Sequence, residues 1–190
     1  MSVHLTRIYT RTGDAGSTAL GSGERVPKTD PRIAGYADVD ECNAAIGVAL
    51  ALGELPVRLR EILVVVQNDL FDVGADLCNP ITEQPKYPPL RVTEAYVTRL
   101  EGWCDELNAE LSTLDSFILP GGTPGGALLH VARTVARRAE RSAWALIGHD
   151  PDRTGPLPAT YLNRLSDLLF ILARTANPGG DVKWVPGGDR

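Results

Sequence analysis

The sequence predicts an all-α protein, a five-helix bundle with antiparallel up-and-down packing. Apolar residues recur at alternating steps of four and three along several long segments, which is the spacing of one helix face. The alternation of apolar and polar residues that marks a half-buried strand is almost absent. Long helices with this spacing and short connections pack at shallow angles, so a bundle is the favoured architecture.

The first two helices are marked by their ends. Asp30 can cap the first helix, because its carboxylate accepts from free backbone N–H groups, and Pro31 fits the first turn. The second helix carries apolar residues at the helical period from Leu59 to Leu77. It ends at Pro80, since the proline-rich loop that follows cannot continue a helix.

Three more helices follow. One begins after Thr93, and the next begins near Thr123, where a proline again occupies the first turn. The last carries apolar residues at the helical period from Leu162 to Ala176 and stops at Pro178. For the fourth helix the predicted inward residues are Leu128, Val131, Val135 and Ala139.

Length and composition predict a single domain. The 190 residues are enough to bury a sizeable core, and no linker divides them. We expect a functional N-terminal loop over residues 1–29, the bundle over 30–178 and a tail over 179–190. The formal net charge of −5 argues against a nucleic-acid partner, which would require a basic face.

The cysteines and the apolar runs indicate the compartment. Three widely spaced cysteines without a CxxC pair fit a reducing environment better than a set of disulfides. No apolar run has the length of a membrane span, and the N-terminus lacks the apolar segment of a signal peptide. The sequence therefore predicts a cytoplasmic protein without a membrane partner. The scattered histidines and cysteines predict no protein-held metal cluster.

The N-terminal segment "YTRTGDAGST" has too much glycine for a helix and too few large apolar residues for a core. It carries Arg11 and Asp14, and Lys28 follows. Two interpretations stay open: an ordinary surface loop, or a loop that wraps its backbone N–H groups around an anion.

The fourth helix carries an arginine-rich face. Arg133, Arg137 and Arg141 follow at steps of four, Arg138 lies beside them, and Glu140 is the one acid among them. A solvated face is the simplest interpretation of a charge run. Because every cation here is an arginine, whose planar fork holds carboxylates and phosphates, an anion site or a subunit contact is slightly favoured.

The fifth helix carries a second polar stripe of Asn163, Asp167, Phe170 and Arg174, apart from its leucine face. It is either an exposed polar face or, because it includes Phe170, a contact surface. Known phosphate motifs are absent, since Ser22 stands where a P-loop requires lysine.

Six motifs stand in the order found in one known family: "YTRTGDAGST", "GERVPK", "VDECNAAIG", "FILPGG", "RTVARRAER" and "LNRLSDLLFILAR". The chain resembles the PduO-type ATP:cob(I)alamin adenosyltransferases, and the likeness spans nearly all of it. The resemblance implies a five-helix bundle of the cobalamin adenosyltransferase type that forms a homotrimer with active sites between subunits. It implies transfer of the 5′-deoxyadenosyl group of ATP to cob(I)alamin, which gives adenosylcobalamin and triphosphate.

The resemblance also implies roles for individual residues. Arg137 and Phe117 would be catalytic, with Phe117 and Phe170 at the corrin. Asp40 and Arg133 would pair across the subunit boundary. The matching ATP-binding positions are Thr10, Arg11, Thr12, Gly13, Thr18, Ala19, Lys28, Arg137, Arg138, Ala139, Glu140, Arg141 and Asn163.

Further partners are implied in the same way. Mg²⁺ would be bound through ATP, and a cobalamin reductase and an adenosylcobalamin-dependent mutase, such as methylmalonyl-CoA mutase, would be partners. Ala15 and Thr29 depart from the family, which often has lysine at the first position and an acid at the second. The alternative is a non-catalytic helical module that senses a nucleotide or carries cobalamin.

Overall fold

The computed structural model describes residues 9–85 and 88–189, and over these ranges it has the predicted five long helices. They are α1 (Pro31–Leu52), α2 (Val57–Cys78), α3 (Glu94–Asn108), α4 (Pro124–His149) and α5 (Leu157–Thr175). A small hairpin of β1 (Ser17–Ala19) and β2 (Arg25–Pro27) precedes them. Residues 1–8 of the predicted N-terminal loop, 86–87 of the proline-rich loop and 190 of the tail lie outside the described residues.

The helix starts follow the predicted capping chemistry. The Asp30 carboxylate accepts from the backbone N–H of Arg32 at 2.8 Å, and Pro31 occupies the first turn of α1. Thr123 caps α4, where its hydroxyl accepts from the N–H of Gly126 at 3.1 Å. Local sequence therefore determines where these helices begin.

Consecutive helices run in opposite directions. Ser142 near the end of α4 donates to Asp38 near the start of α1, which fixes these two helices as antiparallel neighbours. Helix α5 packs against both α4 and α3. It runs parallel to α3, and Arg164 near its start donates to Glu101 of α3 at 2.8 Å. The hairpin lies where α2 and α4 end, here called the hairpin end, and the other end is called the tail end.

The buried face of α4 differs from its predicted inward face. Val131 was expected inward, but its side chain is 55% exposed, which makes that prediction wrong. The residues that are fully buried are Leu129, Ala132, Ala136, Ala139, Ala143 and Leu146. The small alanines let α4 approach α1 and α5 closely. A face of alanines lacks the large apolar side chains that make helical periodicity visible in a sequence.

The hairpin was not predicted, because strands of three residues are too short to display a period of two. It is fastened to the bundle at three points. Leu20 is buried between its strands and the helices, and the N–H of Gly21 donates to the carbonyl of Cys78 at 3.3 Å. Arg153, after α4, donates to Glu24 at 2.6 Å. The loop before the hairpin therefore has a fixed base.

Arg32 joins three segments at the hairpin end. Its side chain is 3% exposed, and its guanidinium donates to the carbonyl of Leu77 at 2.8 Å. It also donates to the Asp150 carboxylate at 2.8 Å and to the Thr154 hydroxyl at 2.9 Å. One arginine thus connects the start of α1, the end of α2 and the link between α4 and α5. In the described part of the chain, no helix is long and apolar enough to cross a membrane.

We expect Arg32→Met to lower the free energy of unfolding by about 3 kcal/mol, the lower end of the range for breaking a buried charge pair from one side. The lower end applies because the Asp150 side chain is 25% exposed and water can reach its carboxylate. Urea unfolding measures the change. Arg58→Met is the matched control, because Arg58 forms an exposed pair with Glu106 and its loss should cost less than about 1 kcal/mol. Equal losses in both variants would contradict a special role for Arg32.

Candidate functional site

Residues 9–18, the segment "YTRTGDAGST" that is here called the nucleotide loop, are held by contacts with the hairpin. The backbone N–H of Lys28 donates to the carbonyl of Gly16 at 2.9 Å, and the hydroxyls of Thr10 and Thr12 are 2.9 Å apart. A Cβ on Gly13 would lie 3.2 Å from the Lys28 amine, so glycine leaves the space that the lysine occupies. The structure therefore brings Lys28 to the loop, as the interpretation as an anion site requires.

The rest of the loop faces outward. Thr18 and Ala19 lie in β1, and Arg11 is exposed. Arg11 has φ of 61°, the left-handed conformation that non-glycine residues rarely adopt and that is often retained at binding sites. Its guanidinium lies 5.6 Å from the centre of the Tyr9 ring. The positive charge of Arg11 thus lies on the loop, and that of Lys28 lies beside it.

Two of the predicted arginines face a cleft between α3, α4 and α5, here called the arginine cleft. Its volume is about 450 Å³, and its walls include Cys104, Asp105, Arg133, Arg137, Asp167 and Phe170. The cleft therefore combines two guanidinium groups with an aromatic ring. Burial, with the nearby Asp167 and Asp105, raises the pKa of the Cys104 thiol to about 11, so this thiol stays protonated at neutral pH.

The neighbouring predicted residues have different surroundings. Glu140 accepts from the side-chain amide of Asn163 at 3.1 Å, which joins two predicted ATP contacts across α4 and α5. Arg138 instead turns to α1, where it forms an ion pair with Glu41. Ala139 is fully buried, so its side chain belongs to the core. The predicted inward position of Ala139 is confirmed, and its predicted contact with ATP stays a prediction.

Arg133 has an unsatisfied donor. Its Nε atom is buried and has no hydrogen-bond partner among the described residues. Burial and the nearby charge of Arg137 lower the pKa of Arg133. Asp40 lies exposed on α1 and forms no ion pair within the described part of the chain. The two residues do not meet in one protomer, so their predicted pairing would require a second one.

Phe117 lies at the tail end and projects from the surface. Its side chain is 80% exposed, and its ring centre is 6.2 Å from that of Trp184 in an edge-to-face arrangement. The two chain segments pair like strands, since the N–H of Trp184 donates to the carbonyl of Phe117 at 2.8 Å. Sequence reasoning gave the tail no role. A tryptophan in a glycine- and proline-rich tail was the signal that could have indicated this contact.

Phe170 contacts a residue that sequence reasoning set aside. The His130 ring packs edge-on against Phe170 with 6.0 Å between ring centres, and His130 is 3% exposed. Neither ring nitrogen of His130 has a hydrogen-bond partner among the described residues. Burial and the charge of Arg133 lower the pKa of His130, while the Asp181 carboxylate acts in the opposite direction. A neutral imidazole therefore lies behind Phe170 at neutral pH.

The structure changes one further expectation and explains one glycine. Arg174, placed by the sequence on a polar stripe, is buried and donates to Asp181 at 2.8 Å, so it holds the tail and does not form an exposed face. Gly122 lies in the loop that follows Phe117. Its φ of 99° and the 2.3 Å that would separate a Cβ from the Asn177 amide oxygen explain the glycine within the chain itself.

The predicted site residues lie at both ends of the bundle. The nucleotide loop is at the hairpin end, whereas Phe117 is at the tail end beside the start of α4. Helix α4 has 26 residues and is therefore ~39 Å long. Among the described residues, no group of three or more histidine, cysteine, aspartate or glutamate side chains could hold a metal ion. One protomer thus does not bring the loop and Phe117 together.

Comparison with known proteins gives a consistent result. The family model described as "Cobalamin adenosyltransferase" matches residues 8–176. The chain is 65% identical to the corrinoid adenosyltransferase of Mycobacterium tuberculosis over 190 residues, covering 100% of this chain and 98% of that protein. It is 42% identical to the corrinoid adenosyltransferase of Bacillus subtilis over 184 residues, covering 94% and 92%.

Solved structures show the same relationship. One is a variant of the PduO-type ATP:corrinoid adenosyltransferase of Lactobacillus reuteri in complex with cobalamin and ATP. It superposes with a TM-score of 0.88 at 33% sequence identity, and the match covers 95% of this chain and 100% of that chain. The likeness therefore extends over the complete bundle.

Because the pKa of His130 is lowered in the folded protein, the free energy of unfolding should depend on pH. Below the unfolded-state pKa of about 6.5, the unfolded chain binds a proton that folded His130 resists, so the free energy of unfolding should fall as the pH falls. Urea unfolding at pH 7.5 and 5.0 should show a smaller decrease in His130→Gln than in the parent protein. All other titrating groups are common to both proteins. An identical decrease in the two would contradict the neutral, buried state of His130.

Proposed function

The chain belongs to the cobalamin adenosyltransferase family, and we propose that it performs the family's reaction at a site shared between protomers. It is a transferase that catalyses the ATP-dependent adenosylation of cobalamin. The observation that carries the residue-level proposal is the arginine cleft, where Arg137 and Phe170 line the same space. A site for this reaction needs a cationic contact for triphosphate beside an apolar contact for the corrin.

The chemistry assigns the protein a limited task. Cob(I)alamin is itself a strong nucleophile toward the 5′-carbon of ATP, so no general base is required. The protein must hold the two reactants in line and stabilise the charge that builds on the departing triphosphate. Arg137 serves the second task, because its planar guanidinium can bind two phosphate oxygens at once. Phe170 and Phe117 help to hold the reactants in line by contacting the corrin.

Asn163 and Glu140 form the base of the nucleotide contact. Their hydrogen bond joins α4 to α5 one turn from Arg137. The Glu140 carboxylate is engaged with Asn163, although Arg137 lies only one turn away on the same helix. Arg137 is exposed and therefore available to a phosphate. Arg141, one turn further along, is exposed on α4 as well.

We propose that the complete site is built from neighbouring subunits of a homotrimer. The nucleotide loop and Phe117 lie at opposite ends of a helix that is ~39 Å long, so a single protomer keeps them apart. A second copy can bring its own loop to the arginine cleft of the first. The unsatisfied Nε of Arg133 and the unpaired Asp40 carboxylate support a contact between copies.

We propose that Mg²⁺ enters with ATP. The loop offers the hydroxyls of Thr10, Thr12 and Thr18 and the Asp14 carboxylate, oxygen donors that suit a magnesium ion already held by phosphate oxygens. When bound, the ion would neutralise part of the triphosphate charge. Lys28 and Arg11 would supply fixed positive charge beside it. Ala15 and Thr29 add neither a charge nor a carboxylate. Lys28 and Arg11 would therefore be the residues at this loop that attract the phosphates.

The cysteines bear on the compartment, and the substrate and product of the reaction bear on the partners. We propose a cytoplasmic location, because the thiols of Cys42, Cys78 and Cys104 are all free and fit a reducing environment. A cobalamin reductase must supply cob(I)alamin, and an adenosylcobalamin-dependent mutase would receive the product. Incubation of the purified protein with ATP and chemically reduced cobalamin tests the function directly. Adenosylcobalamin and triphosphate should form in equal amounts, whereas the non-catalytic alternative would give binding without product.

We expect Arg137→Lys to lower kcat about 100-fold, the lower end for removal of one preorganised donor to developing charge. The lysine keeps the positive charge but loses the planar fork, so some attraction survives. Phe117→Ala is the matched comparison: it should slow adenosylation while leaving the Kd for ATP unchanged. Steady-state kinetics with ATP and cobalamin varied separately distinguish the two. Unchanged kcat and KM in Arg137→Lys would contradict a role at the leaving group.

We expect Arg133→Ala to weaken trimer assembly, because breaking a buried pair from one side costs about 3–5 kcal/mol. Sedimentation velocity at several protein concentrations measures the assembly state. The double exchange of Asp40→Arg with Arg133→Asp should restore part of the lost association, since it reverses the pair but keeps its attraction. A fully active monomer, or an exchange variant no better than Arg133→Ala, would contradict the proposed contact.

A further inference from the structure

Arg25, which lies outside the predicted contact residues, is tied to the nucleotide loop by its side chain. Its Nη2 atom lies within hydrogen-bond distance of three acceptors on the preceding segment: the carbonyl of Thr12 at 2.9 Å, the carbonyl of Ser17 at 3.2 Å and the hydroxyl of Ser17 at 2.6 Å. These acceptors lie at the two ends of residues 12–17. The guanidinium therefore closes the loop across its base.

The backbone next to this contact is strained. Arg11 adopts φ of 61°, and Thr12, whose carbonyl accepts from Arg25, is the following residue. A non-glycine residue remains in the left-handed region where its surroundings hold it there. The hydrogen bond from Gly16 to Gly13 at 3.1 Å and that from Lys28 to Gly16 at 2.9 Å hold the rest of the turn. The Arg25 side chain bridges the two ends of residues 12–17.

We propose that Arg25 is a positioning residue that holds the loop in its ATP-binding form before the nucleotide arrives. The proposal rests on the proposed function, because the segment that Arg25 closes is the predicted ATP loop. Its Nη2 donors are engaged by the loop, so Arg25 acts on ATP through the shape of the loop. Arg11 and Lys28, in contrast, would provide the positive charge that binds the phosphates.

This role predicts a specific kinetic pattern. When only a fraction of the protein has a competent loop, the apparent dissociation constant rises by the inverse of that fraction. Once ATP is bound, the loop is closed and the chemical step is unchanged. We therefore expect Arg25→Met to raise KM for ATP about tenfold, in line with the loss of charge-assisted hydrogen bonds. The kcat at saturating ATP and the KM for cobalamin should not change.

Two further variants separate loop shape from charge. Ser17→Ala removes the closest acceptor of Arg25 and leaves every charge in place, so it should raise KM for ATP in the same direction, by about threefold. Arg60→Met is the matched control, because Arg60 is also exposed and donates to a single backbone carbonyl, that of Leu50, at the tail end. It should leave KM unchanged.

Hydrogen–deuterium exchange on the ATP-free protein supplies a readout independent of activity. Peptides that cover residues 9–20 should exchange faster in Arg25→Met and Ser17→Ala than in the parent protein or in Arg60→Met. Unchanged exchange in Arg25→Met, or a silent Ser17→Ala beside a raised KM in Arg25→Met, would overturn the positioning role. If the parent protein formed no adenosylcobalamin, the proposed function would fail. Exchange and ATP titration would still decide the role of Arg25.

Discussion

The position of the nucleotide loop depends on the buried guanidinium of Arg32. This group holds the start of α1, the end of α2 and the link between α4 and α5 in one place, and each of these segments contacts the hairpin or lies beside it. A buried cation is tolerated there because three acceptors surround it. Glu24 and Cys78 then fasten the hairpin to the same platform. A few hydrogen bonds thus connect the loop, through the hairpin, to the core of the bundle.

The fold places two kinds of side chain at opposite ends of the bundle. Cationic and hydroxyl groups gather on the loop at the hairpin end, while aromatic residues gather at the tail end, where Phe117 meets Trp184. The arginine cleft lies between them along α4. Under the proposed assignment of the site, this division gives the polyanionic nucleotide and the large apolar ring each a set of groups of suitable polarity. In the proposed homotrimer, a neighbouring copy supplies the proximity that one protomer lacks.

The alanine-rich face of α4 permits this geometry. Ala132, Ala136 and Ala139 are fully buried, so α4 packs closely between α1 and α5. The arginines emerge on either side of that face, Arg138 toward α1 and Arg137 toward α5 and α3. A helix with larger buried side chains would stand further from its neighbours and leave Glu140 out of reach of Asn163. Packing of small residues and placement of the site are thus coupled.

The sequence by itself determined the five helices and several of their ends, because periodicity, capping by Asp30 and Thr123 and the helix-breaking prolines act locally. Its ordered motifs also indicated the family. The tertiary structure decided which side chains meet: Glu140 with Asn163, His130 with Phe170, and Arg25 with Ser17. It also decided that Val131 faces outward and that Arg174 is buried. Such contacts depend on the rotation and separation of packed helices, to which a local pattern of residue types is insensitive.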